Sequence, residues 1–262
     1  MIAVFVFILG LIIGSFLNAV IHRLKTKESL ITSRSKCVSC NHKLGARDLI
    51  PVVSFLFLKG KCRYCNVKIS WQYLLVELST AILFVLGYFL YLSSYCPLNI
   101  CSEIPLNILL VYFSYITFCS FLVVIFVYDL KHYLILDKVV VPAIFISLIF
   151  NLSLGFNIFN LLLAALIVSG FFMLQFIISK GKWIGGGDIR LGFLMGTMLG
   201  WPNSLVALLL AYIVGSVISI FLIVFKFKKW GDQLPFGTFL TLATVISLLY
   251  GTQILNWYLG YL

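Results

Sequence analysis

The chain has 262 residues, of which 62% are apolar and only 10% charged, with 19 Lys and Arg against 8 Asp and Glu. A mean hydropathy of +1.12 excludes a soluble or disordered domain and places the chain among polytopic membrane proteins. The net charge of +11 calls for no nucleic-acid partner, because cations facing an anionic inner leaflet account for it.

Apolar runs near the roughly 17–25 residues that a bilayer crossing needs recur along the chain. Eight are predicted, over 2–21, 74–92, 106–128, 139–154, 158–179, 189–200, 204–225 and 235–259. The expected fold class is therefore an all-α polytopic membrane protein with about eight transmembrane helices. No positive charge precedes the first run, and Arg23, Lys25 and Lys27 follow it, which reads as a retained anchor with its N-terminus outside. The fourth and sixth runs are short, and Gly192, Gly196 and Gly200 predict a broken or tilted sixth. With the N-terminus outside, segments 22–73, 129–138, 180–190 and 226–234 face the cytoplasm. They hold 11, 2, 3 and 3 of the Lys and Arg residues, which is all 19, as the positive-inside rule requires.

This divides the chain into a first transmembrane helix (1–21), a basic cytoplasmic module (22–73) and a seven-helix membrane domain (74–262). No internal repeat, low-complexity tract or linker stands out. The module carries "CVSC" and "CRYC", so that Cys37, Cys40, Cys62 and Cys65 form two C-x-x-C knuckles with 21 residues between them. Each such turn delivers two thiolates, and four make a tetrahedral zinc site. A pair of disulfides or a redox motif is the competing reading, which a reducing compartment disfavours. His42 is close enough to replace a ligand, but four cysteines suffice. A module this small has little core of its own, which a structural metal offsets. Cys96 and Cys101 share an external loop where a disulfide is weakly supported, and Cys119 packs within the third run.

Asp129 ends the third run in "FVYDLKHYLILDK", and Asp188 begins the sixth in "GGGDIR", 59 positions later. The topology places both at the cytoplasmic edge of the bundle. A carboxylate at membrane depth is costly to ionise and marks a candidate functional site. Two that meet cannot easily both ionise, so the pair shares a proton. Such a pair can activate water with one member and hydrogen-bond a scissile carbonyl with the other. Gly185, Gly186 and Gly187 would let a substrate backbone approach and pair with an unwound stretch. The bland alternatives are an N-cap for Asp188 and a solvated helix end for Asp129. No Lys-Ser/Thr follows the glycines, so they make a poor phosphate loop. Asp137 is expected to cap the fourth helix and His132 to be solvated.

At these residues the sequence resembles the type IV prepilin peptidases, membrane aspartic proteases of the Gly-x-Gly-Asp class. "GSFLNAVIHRL", the doubled knuckle, "LIPVVSFLFLKGKCRYC", "ISWQYLLVE", "YDLKHYLILD", "GGGDIRL" and "LPFGTFL" carry the resemblance in order along the chain. It implies Asp129 and Asp188 as the catalytic pair. It also implies cleavage of a basic leader after a glycine in pilin-like precursors held in the lipid bilayer of the bacterial cytoplasmic membrane. Many such enzymes then methylate the new N-terminus with S-adenosylmethionine. The family's methylation-associated segment usually reads Asp-Asn-Ile-Pro; here it is Asp48-Leu49-Ile50-Pro51, which puts that second activity in question. Asp48, Pro51 and Glu77 are the candidates for the methylation site. Leu136 stands where the family often has proline, in a loop outside the pair. A presenilin-like protease is the rival enzyme, but its late Pro-Ala-Leu turn is here Pro235-Phe236-Gly237. A non-enzymatic transporter or assembly scaffold is the second rival. It would need polar residues through the membrane thickness, where the runs are mainly Leu, Ile, Phe and Val.

Overall fold

The computed structural model describes residues 1–29, 34–95, 104–229 and 233–260. Cys96 and Cys101 lie outside them. The described residues form α-helices and short helical turns, with no β-strand beyond two isolated bridges. The helices are α1 (Ile2–Thr26), α2 (Val53–Phe57), α3 (Trp71–Gly87), α4 (Leu106–His132), α5 (Asp137–Ser153), α6 (Ile158–Ser179), α7 (Gly186–Leu199), α8 (Asn203–Val224) and α9 (Phe236–Leu259).

Among the described residues six helices are long and apolar enough to cross a membrane: α1, α3 with its extension to Leu92, α4, α6, α8 and α9. The fourth and sixth predicted runs are helical, but α5 has 17 residues and α7 only 14. At 1.5 Å per residue a helix of α7's length spans about 21 Å, short of the roughly 30 Å hydrocarbon core.

The chain divides into two compact units, 1–112 and 113–262. In the first, α1 packs along α3 through the glycines of "GLIIG". A Cβ on Gly10 would lie 2.5 Å from Ala81 Cα, and one on Gly14 would lie 2.7 Å from Glu77 Cα. Small residues four apart let two backbones meet without water to drive them together.

In the second unit α7 is the inner helix, packed against α5, α6, α8 and α9. Its glycines do not break it. A Cβ on Gly196 would fall 2.3 Å from the Cα of Ala165, and one on Gly192 would fall 2.6 Å from the Phe172 ring. They let α6 approach closely, and the helix runs on until Gly200, whose φ of 65° ends it. Hydroxyls enter the core here, which the apolar runs did not suggest: Thr238, Thr241, Thr244 and Ser247 line the buried face of α9. The three threonines donate to carbonyls of their own or the preceding turn, so their donors are consumed locally. They do not hand a proton from one to the next.

Candidate active site and cysteine module

In the second unit, Asp129 lies in the last turn of α4 and Asp188 in the first turn of α7. They are 4% and 8% exposed, and Ile135 links their surroundings, lying against Gly187 next to Asp188 and against Gly237 beside Asp129. Backbone N–H groups hold one oxygen of each. Asp129 Oδ2 accepts from Thr238 N at 2.9 Å, and Asp188 Oδ2 accepts from Gly185 N at 3.1 Å. Backbone N–H groups therefore fix at least one oxygen of each acid.

The glycines are not equivalent. Gly185 caps α7 and donates to Asp188, which stands at the third helical position and is not the N-cap. The Gly186 carbonyl accepts from Arg190 Nε at 3.2 Å. Gly187 lies against Ile135, whose Cβ would be 2.9 Å from any Cβ placed there. Gly237 is similarly enclosed: its added Cβ would meet Asp129 Oδ2 at 2.8 Å and Ile135 Cδ1 at 2.9 Å. Nothing larger than glycine fits beside Asp129 at this turn.

The α4–α5 connection passes over this region. Tyr133 takes φ 53° and donates its N–H to the Asp129 carbonyl at 2.8 Å. Asp137 is not the helix cap. Leu136 holds that position without a side-chain bond, and the Asp137 carboxylate instead pairs with Arg190 Nη1. An extended residue before the helix suffices as its start, which frees the acid to tie α5 to α7. The His132 ring packs at a tilt against Tyr128, with ring centroids 4.7 Å apart.

In the first unit the four thiols converge, all within 4.8 Å of one another, with Cys37 Sγ and Cys65 Sγ at 3.8 Å. Tetrahedral zinc with bonds of about 2.3 Å requires sulfurs about 3.8 Å apart, so the donor set fits the metal. The bond from the Cys40 backbone lowers Cys37 to about 6. Although the Val67 N–H favours its thiolate, burial and the other three sulfurs push Cys65 up to about 12. Four thiolates cannot gather unaided, whereas a divalent cation compensates their charge.

The knuckles repeat one another. "KCVSCNHK" (36–43) and "KCRYCNVK" (61–68) have Lys, Cys, Cys, Asn and Lys in common. Each asparagine takes positive φ, 55° at Asn41 and 56° at Asn66. Each flanking lysine pair forms a bridge. A repeat of eight residues escapes a reading that looks for long ones; the asparagine after each second cysteine was the available signal. His42 is not among the converging ligand atoms and stacks on Tyr64 at 3.7 Å, joining the two knuckles.

Asp48 and Glu77 support the same module. Asp48 reaches back to Gly45 N at 3.1 Å, accepts Arg63 Nε at 2.7 Å and accepts the Tyr64 hydroxyl at 3.2 Å. Burial opposes its charge, but the Gly45 N–H and Arg63 hold its carboxyl below the usual carboxylate range. Glu77, 7% exposed, accepts the Val52 N–H at 2.7 Å. Val52 has φ 59° and ψ −50°, and the Val53 N–H closes onto the Pro51 carbonyl. This is the rarer, positive-φ γ-turn, strained for a β-branched residue. Both acids are thus engaged by hydrogen bonds within the module.

A helical membrane protein with this buried acid pair and a four-cysteine module belongs, as a class, with the membrane peptidases. The comparisons give the family. Residues 116–220 match the model of the type IV leader peptidase family, and residues 8–91 match the bacterial peptidase A24 N-terminal domain. The chain is 31% identical to a prepilin leader peptidase/N-methyltransferase of Aeromonas salmonicida (strain A449), over 97% of this chain and 93% of that one. It is 30% identical to the protein of that name in Bacillus subtilis (strain 168), covering 97% and 96%, and 29% to that of Pseudomonas aeruginosa, covering 97% and 92%. The chain belongs to the type IV leader peptidase family. No solved structure matches it.

Proposed function

We propose that this protein cleaves the leader from prepilins and pilin-like precursors, with Asp129 and Asp188 as the catalytic pair. The observation that carries the reading is the meeting of these two buried acids, each anchored through one oxygen by backbone N–H groups. An ionised and a protonated carboxyl side by side can share one proton. The ionised member takes a proton from water as its oxygen attacks the scissile carbonyl carbon. The protonated member donates to the carbonyl oxygen, where negative charge develops. As the C–N bond breaks, the proton first taken from water passes to the leaving amine, and the pair regains its single proton. Burial excludes competing water and strengthens these interactions.

The basic segments around this site support a position at the cytoplasmic face of the bacterial inner membrane, with the N-terminus outside. A zinc ion held by Cys37, Cys40, Cys62 and Cys65 acts structurally in this reading, since four protein ligands leave no open position. N-methylation of the new N-terminus belongs to the proposal on the strength of the relatives' names. S-adenosylmethionine would supply the methyl group. Asp48, Pro51 and Glu77 are then the candidates for the site of that reaction.

The test is purified protein incubated with a leader-bearing prepilin. Asp129→Asn and Asp188→Asn should each leave the precursor at full length. Normal cleavage by both variants overturns the assignment. The transporter reading is disfavoured by the locally satisfied threonine hydroxyls of α9.

A further inference from the structure

We propose that Ile135 determines specificity, closing the space beside the substrate residue whose carbonyl is attacked, so that this residue must be glycine. The inference rests on the peptidase reading and adds to it the side chain that enforces selection.

Ile135 is the point where both halves of the site meet. A Cβ on Gly187, the residue before Asp188, would lie 2.9 Å from Ile135 Cβ and 3.4 Å from its Cδ1. A Cβ on Gly237, beside Asp129, would lie 2.9 Å from the same Cδ1. The isoleucine therefore sits between the glycines that flank the two acids. It is only half-buried, so part of its surface stays uncovered by the fold.

Its position is well held. The Tyr133 N–H binds the Asp129 carbonyl at 2.8 Å, and the Arg190–Asp137 pair anchors the far end of the connection. Lys228 reaches the Tyr133 hydroxyl at 3.4 Å and the Gln233 carbonyl at 2.6 Å. A β-branched side chain also has little rotamer freedom. Ile135 forms a fixed wall.

When the acids hold a scissile carbonyl, the Cα on its acyl side lies about 1.5 Å from the reacting carbon, against about 2.4 Å for the Cα across the C–N bond. The acyl-side Cα is thus the one held closest to the pair, and Ile135 borders that space at Gly187 and Gly237. A side chain there competes with Ile135 for space already filled to contact, as it is at Gly187 and Gly237. Glycine alone avoids the conflict.

The experiment uses the full-length protein with prepilins carrying glycine, alanine or valine on the acyl side of the scissile bond. Ile135→Val removes only Cδ1, and Ile135→Ala opens the wall further. The rate for the alanine precursor relative to the glycine precursor should rise by about 10-fold or more, since a methylene in a pocket discriminates by that order. The valine precursor should gain only with Ile135→Ala. Relative rates that stay at the wild-type value in both variants overturn the proposal. So does loss of glycine cleavage without a gain on alanine, which would show Ile135 merely supporting its loop. A wild-type enzyme that leaves the glycine precursor intact instead refutes the peptidase reading, a separate outcome. Gained cleavage of a new precursor cannot arise from misfolding.

Discussion

The Thr238 N–H points at Asp129 Oδ2 from 2.9 Å, joining the start of the last helix to an acid 109 positions earlier. That bond orients the carboxylate and favours its charge without a neighbouring cation. Thr238 lies in the first turn of α9, where proline is sterically tolerated. Thr238→Pro should therefore remove the donor and set its ring Cδ against Asp129 Oδ2, displacing the carboxylate and lowering the cleavage rate by at least the about 10- to 100-fold of a lost bond to a charged group. Thr238→Val, which loses only the hydroxyl bonded to Pro235, should retain most activity. Single-turnover cleavage of a prepilin distinguishes them.

Gly196 faces backbone rather than a pliable side chain, with the Ala165 Cα 2.3 Å from an added Cβ. Gly196→Ala should force α6 and α7 apart and cost about 1–3 kcal/mol or more. Gly170, with nothing within 4 Å of its added Cβ, is the control. Gly170→Ala should be neutral or stabilising. Thermal unfolding of the two proteins in one detergent is the measurement.

Glu77 holds the strained turn at Val52. Glu77→Gln keeps a carbonyl acceptor for the Val52 N–H and should be mild. Glu77→Ala strands that N–H and should cost about 1–3 kcal/mol. Faster proteolysis around residues 49–53 in the alanine variant, but not the glutamine one, is the expected result.

Metal analysis should find about one zinc per chain, and a strong chelator should loosen the module through loss of its four-sulfur clamp. Cys37→Ser or Cys62→Ser should do the same and should damage methylation more than leader cleavage. Zinc-free protein from metal analysis of a fresh preparation would contradict the expectation.

The two outer cysteine values give the pH dependence its sign. With Cys37 lowered to about 6 and Cys65 raised to about 12 among interacting thiols, zinc binding near pH 8 should displace protons from the four-thiol set as a whole. Below about pH 6 the set holds one more proton, so one more must leave and affinity should fall more steeply. Calorimetry in buffers of different ionisation enthalpy reads the proton count directly.

Hydropathy, charge asymmetry, the paired knuckles and the two acid motifs were legible along the chain because each is a local matter of residue type and spacing. A bilayer demands long apolar helices and a metal demands thiols in tight turns, wherever the rest of the chain goes. The occupants of the space between the acids were not legible. Ile135, Gly237 and the Thr238 N–H meet there only because three separate connections fold onto one end of the helices. Gly192 and Gly196, which predicted a broken or tilted helix, proved to be room for the Phe172 ring and the Ala165 backbone. Asp137 looked like a cap until Arg190 claimed it from 53 positions away. Contact between distant segments depends on which surfaces pack, and residue spacing along one strand of sequence carries no record of that.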